Sequence, residues 1–356
     1  MPDHQALVLS EVRNKVGHLT LNRVAAFNAI NLDMVRRIAQ QLNDWATDDT
    51  VVAVVLRANG DKAFCAGGDI RELYNNAKEG NDLNQTFFSE EYALDQHIHA
   101  YPKPVIALIN GLTLGGGMGL VQGASFRIVT EKARLGMPEV SIGFFPDVGG
   151  SYFLSRLPSE IGTYMGVSGN PIGAADALQA GVADWFLYAE QITELDRCLD
   201  NMQWGHSSQE AIRSLLNTLA SKRASGSKLA PLRTAIEQHF SKDSVAQIIA
   251  SLASETDTSI KPWCEELISA LRTRSPIAMA TTLMMLRRAK NLTLADCFRL
   301  EYHLGSQWFT KGDFMEGVRA LIIDKDKNPR WQPASIEALD PAKLDELFAG
   351  FQAQSI

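Results

Sequence analysis

An α/β core followed by a mostly helical C-terminal region is the fold class that the sequence predicts, on three observations. The runs VVAVVL and PVIALI are rich in β-branched residues and long enough for one buried strand each. Each feeds through glycines into a segment with helical spacing: Gly67-Gly68 leads into IRELY, and Gly115-Gly116-Gly117 into Met118, Leu120 and Val121. From about Gln191 the apolar residues recur at helical spacing alone, as in EAIRSLLNTLASKRA and DSVAQIIASLASE, and no strand is expected before VRALIIDKD. The chain therefore reads as an α/β core over residues 1–190 and a helical region over 191–356. Within the latter, SKRASGSKLAP is the best linker, or else a loop between helices.

Taken in order, ALVLSEVRNKVGHLTLN alternates apolar and polar residues and bends near Asn14-Lys15, which predicts a hairpin from Ala6 to Asn22. Ala29 to Trp45 repeats apolar residues at helical spacing, with Asn31 as the N-cap. VVAVVLRA follows as a buried strand, and KAFCAGGDIRELY turns through its glycines into a helix with Asp69 at the start. The rhythm recurs in PVIALIN, in FRIVT and in ARLGMP, without an exact sequence repeat. GAADALQAG reads as a helix and VADWFLYAE as a further strand near 182–190.

At 356 residues with a net charge of −7, the chain has ample material for a core and little for a nucleic-acid surface. No apolar run approaches the length of a membrane span. The four cysteines, Cys65, Cys198, Cys264 and Cys297, have neither metal nor redox spacing. Reduced thiols in a cytoplasmic compartment are therefore expected. The stretch MPDHQALVLSE lacks a basic region followed by an apolar one, so no signal peptide is expected; a processed organelle protein would look the same.

The chemistry concentrates between Pro104 and Ser151. A strand that passes through glycines into a helix start leaves backbone N–H groups without helical partners, and such groups suit an oxygen that gains negative charge. Some twenty residues on, Met137-Pro138-Glu139 and Phe145-Pro146-Asp147 place two carboxylates in a loop rich in Gly, Pro and Phe. Acids in apolar surroundings are candidates for chemistry. Donors and carboxylates together point to an enzyme acting on a carbonyl.

Competing motifs fail. GGGMGL ends in Leu120 where a dinucleotide fingerprint has glycine, and no P-loop lysine follows. The run GVSGN, residues 166–170, misses the nucleophile elbow at its last position. His97 and His99 are two apart on a helix, which does not suit one metal ion. Asp324, Asp326 and Asn328 begin like a calcium loop, but Pro329 and Ser335 stand where glycine and glutamate are required. Met284-Met285-Leu286 reads as packing, and Arg287-Arg288 faces either solvent or a phosphate.

AFCAGGDI, NGLTLGGGMGL and MPEVSIGFFPDVGGSYFLSRLP together resemble the crotonase, or enoyl-CoA hydratase/isomerase, superfamily. FFSEEYALD, GFFPDVGG and DFMEGVRALIIDKDKNPRWQP are similar to its 3-hydroxyisobutyryl-CoA hydrolase branch. The resemblance covers nearly the whole chain and is least diagnostic over 191–270. It implies a crotonase-like spiral of ββα units with a helical C-terminal region, in a possible homo-oligomer. It also implies an acyl-CoA substrate and no separate cofactor, CoA being part of the substrate. The activity implied is hydrolysis of a short branched 3-hydroxyacyl-CoA, a step of valine degradation.

Position by position, the resemblance implies that the N–H groups of Gly68 and Gly116 form an oxyanion hole. The same glycines would also permit tight turns. Glu139 matches the glutamate that acts on the substrate, as a nucleophile forming a mixed anhydride or as a base activating water. Asp147 is implied as its partner, with capping of a helix from Gly149 as the other role open to it. Glu91 and Asp69 are the implied substrate-binding residues, although Glu91 would also suit a solvated helix face. Hydratases of the superfamily carry a second glutamate where Gly119 stands, which disfavours hydration. The alternatives are a hydratase or isomerase on the same scaffold, and a non-catalytic acyl-CoA-binding protein.

Overall fold

The computed structural model describes residues 6–220 and 224–353. Ser221 to Arg223, where the expected linker starts, lie outside the described residues. The strands are β1 (Val8–Arg13), β2 (Val16–Leu21), β3 (Ala53–Ala58), β4 (Ala63–Cys65), β5 (Val105–Ile109), β6 (Leu112–Leu114), β7 (Phe126–Val129), β8 (Arg134–Gly136), β9 (Ile172–Gly173) and β10 (Trp185–Phe186). They form a six-stranded sheet in the order β1-β2-β3-β5-β7-β10 and a four-stranded sheet in the order β4-β6-β8-β9. In the larger sheet β1 and β2 are antiparallel, and every pairing from β2 onward is parallel.

The chain separates into two compact units, and the division is not a single cut near residue 190. The first comprises Met1–Asp69, Glu90–Leu135 and Ile172–Ser227; the second comprises Ile70–Ser89, Gly136–Pro171 and Lys228–Ile356. One border, Ser227 to Lys228, falls inside the expected linker.

The first unit holds the sheets. Every side chain of the VIALI run in β5 is buried, as expected of a central parallel strand covered on both faces. The β1–β2 hairpin turns at Asn14 and Lys15, both at positive φ, and the Asn14 amide donates to the carbonyls of Leu199 and Met202 at 2.8 and 2.9 Å. Asn31 caps the helix Leu32–Thr47 as expected, accepting from Met34 N. That helix packs Met34, Val35, Ile38, Leu42 and Trp45 inward, one face at helical spacing. The strand expected over 182–190 shrinks to Trp185–Phe186, which pairs with β7.

The second unit is helical. Its centre is an aromatic cluster in which Phe145 packs against Trp308 at 4.9 Å between ring centroids and Phe144 stacks on Phe145 at 4.5 Å. The strand expected in VRALIIDKD does not form. Phe314–Val318 is helical and Arg319–Ile323 a π-helical turn. The cause is Arg319, whose guanidinium donates to Glu316, Asp324 and Asp326 at 2.6–2.8 Å. A strand would hold residues 319 and 324 roughly 16 Å apart at ~3.3 Å per residue, beyond such a contact. The same pairing engages the acids that mimic a calcium loop.

Candidate active site

In the first unit the glycine turns are built as the sequence implies. Ile30 bridges to the Gly67–Asp69 segment through Ile30 N to Gly67 O and Asp69 N to Ile30 O, both 2.8 Å, a pattern that does not use the Gly68 N–H. Gly67 sits at φ 101°, a conformation that favours glycine. Gly116 opens the helix Gly116–Gln122 after Gly115 at φ 47°, so its N–H falls where no intrahelical acceptor exists. A Cβ on Gly116 would lie 2.5 Å from Glu91 Oε1 and 3.4 Å from Gly68 N. The structure thus brings Gly68, Gly116 and Glu91 together.

Glu91 lies on the helix Leu83–His99 and is 3% exposed. Its neighbour Glu90 takes the solvated face, accepting twice from Arg36 at 2.7 Å. Consecutive helical residues point about 100° apart, so one acid of the pair goes to solvent and the other inward. Asp69 is placed differently. Its carboxylate pairs with Arg23 at 2.6 Å, which gives it a structural partner within the same unit.

In the second unit Glu139 opens a short turn, Glu139–Ile142, preceded by Pro138. The turn is fixed from several sides. Ser275 N donates to Val140 O at 3.1 Å, and Gly143 N and Phe144 N donate to Glu139 O. Trp308 Nε1 donates to Gly143 O at 2.7 Å. Gly143 is at φ 71° with the Asp313 carbonyl against it, leaving no room for a side chain. The Glu139 side chain is 7% exposed, and Oε2 has no hydrogen-bond partner among the described residues. Burial, and then the negative charge of Asp147, pushes its carboxyl well above the ordinary value of 4.5.

Asp147, 6% exposed, does not occupy the N-cap position of the next helix. That helix is Gly150–Leu154 and its N-cap is Gly149, which has no side chain to offer. The capping acceptor comes from Glu301 on the helix Leu294–Lys311, a residue that sequence reasoning missed. Glu301 is fully buried and accepts from Gly149 N and Ser151 N at 2.8 Å and from Ser151 Oγ at 2.5 Å. Donors of this kind favour an ionised carboxylate and oppose the desolvation that pushes it up to about 8. A signal existed: Cys297, Leu300, Leu304 and Trp308 mark the buried face of that helix, and Glu301 lies on it.

The remaining sequence candidates have structural roles. Arg287 pairs with Glu160 at 2.6 Å and donates to the Phe240 carbonyl, and Arg288 lies over the Phe348 ring. Ser168 is buried and donates to Tyr164 O. Among the described residues no group of His, Cys, Asp and Glu is arranged to hold a metal ion, and no helix is long and apolar enough to cross a membrane.

The profile of the Enoyl-CoA hydratase/isomerase family matches residues 16–348. The chain is 36% identical over 353 residues to "3-hydroxyisobutyryl-CoA hydrolase, mitochondrial" of Danio rerio, an alignment covering 98% of this chain and 91% of that relative. The human protein of the same name is 35% identical over 96% of this chain and 88% of its own. Among solved structures, a carnitinyl-CoA dehydratase from Mycobacterium thermoresistibile superposes with a TM-score of 0.89 at 36% identity, covering 97% of both chains. An enoyl-CoA hydratase from Rhodobacter sphaeroides does so at 0.86 and 37% identity, again over 97% of both.

The raised carboxyl of Glu139 has a consequence for stability. A carboxyl whose folded pKa exceeds its unfolded one contributes stability that is complete below the unfolded value and is lost as pH rises through the folded value. Glu139→Gln has no such loss, whereas its unpaired amide costs the same at every pH. The melting temperature of the variant minus that of wild type should therefore grow as pH rises above 4.5. Melting curves from pH 4.5 to 8.5 check this, and a gap that ignores pH would show an ordinary, solvated carboxyl.

Proposed function

The chain belongs to the enoyl-CoA hydratase/isomerase family, and on that premise we propose that it hydrolyses a short branched 3-hydroxyacyl-CoA thioester, of the 3-hydroxyisobutyryl type, to the free acid and CoA. The observation that carries this reading is the Glu139 carboxyl, buried with an acceptor oxygen lacking a hydrogen-bond partner among the described residues. Folding alone gives no reason to bury such a group, because an unsatisfied acceptor costs about 1–3 kcal/mol. A protein that only binds acyl-CoA has no need of it. The curated relatives named as 3-hydroxyisobutyryl-CoA hydrolases support the substrate class.

In this reading the N–H groups of Gly68 and Gly116 donate to the thioester carbonyl oxygen. As the carbonyl carbon is attacked, that oxygen becomes an anion, and each preorganised donor is worth roughly 2.7–4 kcal/mol to it. Glu139 either attacks the carbonyl carbon, expelling CoA thiolate and leaving a mixed anhydride for water, or takes a proton from the attacking water. A carboxyl raised toward the working pH suits the second role, since base strength and availability are then balanced. Asp147 and Glu91 are the groups assigned to the substrate 3-hydroxyl. Asp69 is left out, because Arg23 holds it. CoA enters as part of the substrate, and no separate cofactor is called for.

Hydration is the second reading, and the names of the two solved neighbours favour it. Against it stands Gly119, buried in the helix Gly116–Gln122, where the resemblance places the second glutamate of a hydratase. Thiol release from a panel of acyl-CoAs separates the readings. Free CoA supports hydrolysis, and a change in enoyl absorbance without free CoA would replace it with hydration. 3-Hydroxyisobutyryl-CoA should be cleaved up to roughly 10⁴-fold faster than isobutyryl-CoA, because a site built for a hydroxyl leaves its polar group unpaired without one. Asp147→Asn should shrink that ratio. Equal kcat/KM for the two thioesters would leave only a general short-chain thioesterase.

Gly116→Ala tests the donor assignment. Its Cβ would fall on Glu91 Oε1, the movable end of a buried side chain, so the fold should survive while the acid is displaced. Activity should fall by about 10²-fold, the scale of an ångström's misplacement. A folded variant with wild-type kcat/KM would return Gly116 to a turn residue.

A further inference from the structure

The Asp147 turn contains a conformation that its sequence should resist. Val148 is buried at φ 52°, in the left-handed region where a β-branched residue is an outlier, and Gly149 follows at φ 81°. Such backbone persists only where the surroundings over-determine it. Here the determinant is the Glu301 carboxylate, which receives Gly149 N, Ser151 N and Ser151 Oγ. A local capping side chain at residue 149 is excluded by the turn itself, since φ 81° disfavours any Cβ and one would lie 3.1 Å from the Phe298 ring. A five-residue helix, Gly150–Leu154, gains little that would justify burying a distant carboxylate completely. What the arrangement does fix is the direction in which Asp147 leaves the turn. The Gly150 N to Asp147 O bond of 2.6 Å locks the same backbone from inside.

We propose, resting on the thioesterase reading, that Glu301 is a positioning residue: its carboxylate clamps the strained Val148–Gly149 turn and thereby holds Asp147 where it acts on Glu139 and on the substrate hydroxyl. The effect passes through Asp147 and involves no contact of Glu301 with substrate. The charged and titratable groups around Glu301 are Asp147 from the turn, Cys297 from its own helix, and Arg156, which acts on Cys297.

Glu301→Gln tests this in the full-length protein. The amide keeps one accepting oxygen and turns an NH₂ toward a donor, so half the clamp is lost at nearly constant volume. A fall of about 10²-fold in kcat is expected, with KM little changed. The preference for 3-hydroxyisobutyryl-CoA over isobutyryl-CoA should drop toward that of Asp147→Asn. The double variant Glu301→Gln/Asp147→Asn should be no worse than Asp147→Asn alone, because the two act as one unit. The acidic limb of the kcat profile should move to lower pH, since a displaced Asp147 no longer raises Glu139. A melting-temperature loss with unchanged preference and unchanged limb, or losses that multiply in the double variant, would overturn the proposal. If Glu301→Gln does not fold, Ser151→Ala removes one of the three donors and should give a smaller change of the same kind; an unchanged preference there would count against it equally. Inactive wild-type protein would sink the thioesterase reading instead. The clamp would still be read from the pH-dependent melting gap between Glu139 and Gln at position 139, which should narrow in the Glu301→Gln background.

Discussion

The second unit is organised around keeping a carboxyl out of water. Glu139 is buried, acted on by the negative charge of Asp147 and, among the described residues, short of a hydrogen-bond partner at Oε2. A group in that condition relaxes toward solvent unless its backbone is held, and the surrounding fold holds it. Trp308 fastens Gly143, Ser275 fastens Val140, and Asp313 closes on Gly143. Asp313 in turn accepts from the Ser275 hydroxyl at 2.6 Å and from Gln332 N at 3.0 Å, so the C-terminal residues are drawn into the same support. The helical region is thus more than an appendage. It supplies the frame that makes an unfavourable carboxyl persist.

In the first unit the proposed oxyanion donors are backbone groups alone. An oxyanion needs donors at close range, and a side chain beside them would keep the carbonyl away. Glycine at 68 and 116 leaves two N–H groups outside the local hydrogen-bond patterns, and glycine at 116 also leaves the space that Glu91 Oε1 uses. Cys65, under the same turn, is a thiol pushed up to about 12 by burial and by the charges of Glu91 and Asp95. It packs there as a small apolar group, not as a nucleophile.

Much of this was legible in the sequence where a single local pattern decides the structure. The hairpin through Asn14-Lys15, the Asn31 cap, the buried runs of β3 and β5 and the glycine turns all follow from nearest neighbours in the chain. The acids at 139 and 147 stood out because charge is anomalous in an apolar loop. Local pattern fails where a distant side chain decides. VRALIIDKD looks extended until Arg319 gathers three acids around itself. Asp147 looks like a helix cap until Glu301 arrives from about 150 residues away to take that role. Glu91 looks as solvated as Glu90, and only the placement of the helix separates them. Nothing near Asp69 in the chain announces its ion pair with Arg23. The two compact units interleave three segments each, and no change of composition along the chain marks such an exchange.

The most direct measurement is an infrared titration of Glu139 itself. The difference between wild type and Glu139→Gln isolates one protonated-carboxyl band, which can be followed with pH. This band should persist well above pH 4.5, and its midpoint should move down when Asp147 is replaced by Asn. A band that disappears near pH 4.5 in both backgrounds would contradict it, because Glu139 would then be an ordinary solvated acid and the frame built around it would have nothing to hold.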